Sequence, residues 1–179
     1  MTRRRGRWLL ALALVTTIAG IAAEVNAEGR YAFPIGFDPA LLVWEERHWD
    51  SSLAVDIGIN PGFPVGSPER TAFYDAPILA VTSGRAMRLD NPRGGTAVIL
   101  HGDDGYTYYF AHLASSSVDE PRTVVRGERL GTIGRTGTWA QYLEPHLHLS
   151  VATGHQTGTD WTANVPAPRW LRWTFGFDA

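Results

Sequence analysis

The sequence predicts an all-β domain of compact antiparallel sheets, arranged as a sandwich or barrel. Three observations predict it. Short β-rich runs recur, turn signals interrupt them roughly every 8–12 residues, and no run of a dozen residues shows helical periodicity. With 179 residues, 44% of them hydrophobic and 19% charged, the chain can bury one core and is too apolar to be disordered. The absence of Cys excludes disulfides, thiolate catalysis and Cys-ligated metals.

The first 27 residues differ from the rest. Arg3, Arg4, Arg5 and Arg7 precede an apolar stretch from Trp8 to Ala23, and Val25-Asn26-Ala27 carries small residues at its end. This order reads as a secretory signal cleaved near Ala27, with a retained membrane anchor as the alternative. Sixteen apolar residues make a helix of about 24 Å, short of the ~30 Å hydrocarbon core. Both readings export the remainder to the periplasm, cell envelope or extracellular space. Without residues 1–27 the chain has 12 basic and 17 acidic residues, a formal charge of −5 on 152 residues. An acidic surface argues against nucleic acid as a partner. No later segment approaches membrane-spanning length.

Strand candidates follow in order. Ile78–Thr82 ends at Ser83-Gly84. Thr96–His101 and Tyr106–His112 flank Gly102-Asp103-Asp104-Gly105 and read as an antiparallel hairpin. Thr123–Val125, Arg129–Ile133 and His146–Val151 come next, each bounded by glycine-containing turns. Asn60–Tyr74, with three Pro and two Gly, reads as a surface loop. Residues 156–179 hold Trp161, Trp170, Trp173, Phe175 and Phe177, an aromatic density expected of a core cap.

Six histidines carry the chemistry. Side chains alternate along a strand, so in Pro145-His146-Leu147-His148-Leu149 the two imidazoles share one face and the leucines the other. Such a pair suits two metal ligands, one ligand beside one proton shuttle, or a solvated polar face. His48 is followed by Asp50 and Asp56, and a nitrogen plus a carboxylate oxygen complete a zinc-type donor set. Asp56 is the better ligand candidate, because an unpaired charge inside Leu53-Ala54-Val55-Asp56-Ile57 would be costly. In Tyr108-Tyr109-Phe110-Ala111-His112-Leu113, alternation places Tyr108, Phe110 and His112 on one face. There His112 could be a ligand, a general base or a core residue. His101 and His155 read as structural or exposed.

In order, the chain holds His48…Asp56, Tyr109-Phe110-Ala111-His112-Leu113, the series Gly127, Gly131, Gly134, Thr136, Gly137, and Pro145-His146-Leu147-His148. This succession resembles the lysostaphin-type (LytM-like) zinc endopeptidases of bacterial cell walls. The resemblance implies a compact antiparallel β fold, the duplicated hybrid motif. It also implies one catalytic Zn2+ held by His48, Asp56 and His148, with His112 and His146 as catalytic histidines. The implied activity is hydrolysis of peptide cross-links in peptidoglycan, with its stem or bridge peptides as partners. The near alternatives are an inactive peptidoglycan-binding relative and a D-Ala-D-Ala carboxypeptidase-type zinc enzyme. The family commonly spaces its first His and Asp four apart; His48 and Asp56 stand eight apart. The resulting division is a signal segment at 1–27, an N-terminal segment at 28–47, a zinc peptidase core at 48–155, and an aromatic cap of the same domain at 156–179.

Overall fold

A computed structural model of the chain describes residues 29–45, 53–156 and 163–175. The chain divides into two compact units, Met1–Arg30 and Tyr31–Ala179, and every described strand and helix lies in the second. Among the described residues, ten strands build two antiparallel sheets. The larger comprises β1 (Leu42–Glu45), β2 (Ala54–Ile59), β4 (Gly84–Arg88), β5 (Thr96–Gly102), β6 (Tyr106–Leu113), β8 (Arg122–Val124) and β10 (His146–Thr153). Their spatial order is β1-β2-β10-β6-β5-β4-β8. The smaller sheet joins β3 (Pro77–Leu79), β9 (Arg129–Thr132) and β7 (Ser115–Ser116) in the order β3-β9-β7. Ile78 and Leu130 of the smaller sheet share one core with Val55, Ile57, Leu100, Tyr108, Phe110, Leu147 and Leu149 of the larger. The all-β antiparallel expectation holds.

The register follows from burial. β2 and β10 pair so that Val55 faces Leu149 and Ile57 faces Leu147, which puts branched apolar residues of both central strands into the core. Their alternate residues, Asp56 and Gly58 on β2 and His146, His148 and Ser150 on β10, lie on the opposite face. That face carries a smaller apolar cluster of Ala97, Ile99, Tyr109 and Ala111.

Two helices depart from the expectation. Within the expected loop Asn60–Tyr74, residues Pro68–Tyr74 form helix α1, and Ala167–Phe175 form α2. Each is too short for periodicity to stand out. The start of α1 is nevertheless chemically marked: Ser67 caps it, its hydroxyl accepting from the Arg70 N–H at 3.3 Å, and Pro68 opens the first turn. Phe73 anchors α1 in the core against Phe37, ring centroids 5.5 Å apart. From α2, Trp170 packs edge-on against Tyr31 at 5.5 Å and is 7% exposed. Trp161 and Phe177 lie outside the described residues. The strand expected at Ile78–Thr82 is instead Pro77–Leu79, and the chain turns at Ser83 into β4, a strand absent from the sequence expectation. In β4 only Gly84 and Ala86 are buried, while Arg85 and Arg88 are exposed, so its apolar signal is faint.

Candidate metal centre and its histidines

Asp56 and His148 are direct cross-strand partners on β2 and β10, two residues along from the His146–Gly58 row and on the same face. Adjacent side chains in such a pair meet. His148 Nδ1 lies 2.9 Å from Asp56 Oδ1, and His146 Nε2 lies 4.0 Å from Asp56 Oδ2. Gly58 leaves room beside His146, since a side chain there would begin 3.9 Å from the His146 Cβ.

His112 reaches the same place by a different route. Thr96 pairs with Leu113 and Val98 with Phe110, so β6 carries one residue more than β5 between these pairs. This is a β-bulge, and His112 sits in it with φ 67°. His112 is the only non-glycine residue with positive φ among the described residues. Strict alternation would send its ring to the core side with Tyr108 and Phe110. The bulge instead brings it to the other face, with ring centroids 5.0 Å from His146 and 5.5 Å from His148. The expected common face of Tyr108, Phe110 and His112 is therefore corrected. An extra residue in one strand shifts the phase of everything beyond it.

Thr136 holds this bulge together. His112 Nδ1–H donates to the Thr136 carbonyl at 2.9 Å. The Thr136 hydroxyl donates to the Leu113 carbonyl at 2.8 Å and accepts from the Thr96 N–H at 2.9 Å. The neighbouring glycine is obligatory: Gly134 stands so close that a Cβ would lie 2.1 Å from the Ala114 nitrogen and 2.6 Å from the His112 oxygen. Gly134 thus lets the backbone pack directly on the histidine bulge.

Hydrogen bonds set the tautomers. A carbonyl oxygen only accepts, so His112 carries its proton on Nδ1, and so does His146, which donates to Glu144 O at 2.8 Å. Both rings, when neutral, keep Nε2 as a basic nitrogen. Burial holds the His112 pKa down to about 4, and the nearby His146 and His148 push the same way. His148 has a partner in either neutral form: Nδ1–H donates to Asp56, or Nε2–H donates to Ser150 Oγ at 3.1 Å. The second form frees Nδ1 as a ligand beside the carboxylate.

Ser150 and Glu144 are supporting residues that the sequence does not single out, and Thr136, a member of the glycine series, gains its role only from the fold. Ser150 was findable, because it continues the His146–His148 alternation. Tyr109, on the same face, accepts from Asn91 Nδ2 at 2.9 Å and turns an edge toward His148, centroids 6.2 Å apart. Elsewhere, His101 and His155 stack at 4.7 Å and bond to the backbone carbonyls of Gln156 and Gly102. His48 and Asp50 lie outside the described residues. Among the described residues no three His, Cys, Asp or Glu side chains form a complete metal site. Asp56 and His148 nonetheless supply an oxygen and a nitrogen of the type zinc takes, already adjacent.

The sequence profile of peptidase family M23 matches residues 54–160. The chain belongs to peptidase family M23. The match contains Asp56, His112, His146 and His148 and begins after His48. Among curated relatives, the cell division protein DipM of Caulobacter vibrioides is 28% identical over 82% of this chain. The peptidoglycan DD-endopeptidase ShyA of Vibrio cholerae is 24% identical over 78%. The chain spans only 21% and 29% of the lengths of these two relatives. Among solved structures, a LytM protein from Ruminococcus gnavus superposes with TM-score 0.60 and 22% identity, over 82% of this chain and 61% of that one. The catalytic domain of lysostaphin from Staphylococcus simulans gives TM-score 0.50 and 22% identity, over 82% and 96%. These likenesses establish a shared fold. No helix among the described residues is long and apolar enough to cross a membrane.

Proposed function

We propose that this M23 chain is an exported zinc-dependent endopeptidase that hydrolyses peptide cross-links of peptidoglycan. The observation that carries the reading is the Asp56–His148 pair at 2.9 Å, flanked by two histidines whose Nδ1 protons are both committed to backbone carbonyls. The name of the relative ShyA, a peptidoglycan DD-endopeptidase, supports the substrate class. The basic and apolar start of the chain supports export.

Asp56 and His148 would hold the zinc, with His48 as third ligand. The unusual spacing is compatible with this, because Glu45 pairs directly with Asp56 across β1 and β2. His48 follows Glu45 by three residues, a reach of at most about 10 Å of extended chain. Bound zinc supplies an acidified water and a polarised scissile carbonyl. The protein's own groups do the rest. One neutral histidine, through Nε2, takes a proton from the attacking water and then, protonated, hands that proton to the leaving amine, while the other stands by to hydrogen-bond the reacting oxygen. The carbonyls of Thr136 and Glu144 keep both Nε2 atoms in the accepting state beforehand. Burial of His112 keeps its ring neutral at neutral pH.

The test is digestion of purified sacculi by the zinc-loaded protein, with end-group analysis of the released muropeptides. New amino groups within cross-links, lost in chelator and regained on adding zinc, support the reading. Release of terminal D-Ala alone identifies the carboxypeptidase alternative. Zinc-independent cleavage, or none by the zinc-loaded protein, overturns the reading.

A further inference from the structure

Helix α1 reaches the candidate site through Glu144. We propose that Arg70 and Tyr74 of α1, with Glu144, form a latch that positions His146, so that these three are positioning residues of the reaction. The proposal rests on the assignment of His146 above. Tyr74 Oη–H donates to Glu144 Oε2 at 2.6 Å, and Arg70 Nη1 lies 3.5 Å from the same oxygen. The Glu144 side chain is 61% exposed, which by itself would make a weak surface contact. Arg70 changes that judgement. Its side chain is 9% exposed, and its Nε is the one buried side-chain polar atom without a hydrogen-bond partner among the described residues. A buried guanidinium so poorly served cannot release its carboxylate without leaving a charge uncompensated. The latch is therefore held from the buried side.

The latch transmits to His146 through one residue. Glu144 presents its side chain to α1 and its backbone carbonyl to His146 Nδ1, at 2.8 Å. Pro145 follows, and a residue before proline is restricted to extended conformations, so the carbonyl does not swing independently of the side chain. The loop before it is tied at Thr138, whose N–H and hydroxyl donate to the Pro92 carbonyl at 2.9 and 2.8 Å, and is packed little beyond that point. Trp139, Tyr142 and Leu143 are exposed, and only Ala140 is buried. At its other end the latch stands on the core, because Phe73, on the same helix, is fully buried. A continuous path thus runs from core to α1, to the Glu144 carboxylate, to its carbonyl, to the His146 ring.

The test compares wild type with Glu144→Ala and the double variant Glu144→Ala/Arg70→Met. Two readouts are needed. One is the His146 tautomer in metal-free protein at mildly alkaline pH, from long-range 1H–15N NMR spectra. The other is kcat and KM of the zinc-loaded protein on a cross-linked muropeptide dimer. Wild type should show the Nδ1–H tautomer. Glu144→Ala should show a mixture, with kcat lower by roughly ten- to hundred-fold and KM within about twofold. The double variant removes the stranded charge and should regain the thermal stability lost by Glu144→Ala, while the tautomer mixture and low kcat persist. An unchanged tautomer in Glu144→Ala overturns the proposal, and so does a kcat that returns together with stability in the double variant. If Glu144→Ala does not fold, the double variant alone carries the comparison with wild type. If wild type cleaves no cross-link, the peptidase reading fails, and the tautomer comparison still decides the latch.

Discussion

Thr136 offers a measurable test of how the His112 bulge is built. Thr136→Val keeps the shape of the side chain and deletes its hydroxyl. In the structure that hydroxyl accepts from Thr96 N–H at 2.9 Å and donates to Leu113 C=O at 2.8 Å. Leaving a buried donor unsatisfied costs about 1–3 kcal/mol, and losing one ordinary bond costs about 1 kcal/mol more. Thr136 is half-buried, so water can partly serve the stranded groups, and the expected loss is about 2 kcal/mol. For a domain of this size that lowers Tm by about 4–8 °C. Urea unfolding of metal-free protein gives the free energy directly, with an unchanged m value showing that the native and denatured states are otherwise the same. Thr136→Ser retains both hydrogen bonds and should lose well under half as much. If Thr136→Val is as stable as wild type, or Thr136→Ser as unstable as Thr136→Val, the hydroxyl does not hold the bulge and the account of His112 placement is wrong.

Three further outcomes are expected. Asp56→Ala and His148→Ala should lose zinc in metal analysis while Asp50→Asn keeps it; zinc loss confined to Asp50→Asn would transfer the ligand role to Asp50. His112→Ala and His146→Ala should keep zinc but cleave muropeptides roughly 10²–10⁴-fold more slowly, the usual worth of general acid–base help. In metal-free protein the unfolded chain takes up the His112 proton near pH 6.5, whereas the folded ring resists it down to about 4. Folding stability from this group is therefore complete above about pH 6.5 and is lost as pH falls toward 4. His112→Asn, which also tolerates positive φ, should flatten the urea-measured stability over that window; an unchanged slope would show that His112 is not held neutral.

Much of the fold was legible because its signals are local. The strand pair Thr96–His101 and Tyr106–His112 was readable from β-rich runs around a Gly-Asp-Asp-Gly turn, and the larger sheet contains it as Thr96–Gly102 and Tyr106–Leu113. Helices Pro68–Tyr74 and Ala167–Phe175 were not readable as periodicity, since two turns provide too few repeats. Strand Gly84–Arg88 was hidden by its two arginines, whose exposure only the neighbouring strands make sense of.

By itself the sequence determined which chemical groups are present and which lie on a common strand face. His146 and His148 share a side because strand side chains alternate, and Asp56 stands among apolar residues whose burial makes a charge there costly without a partner. It did not determine where His112 points or what holds His146. The first depends on one extra residue in β6 relative to β5, a property of two strands in register. The second depends on Glu144 meeting Arg70 and Tyr74, with Tyr74 and Glu144 70 residues apart in sequence. Alternation is a rule within one strand; registers, bulges and latches are relations between segments, and only the folded chain brings those segments together.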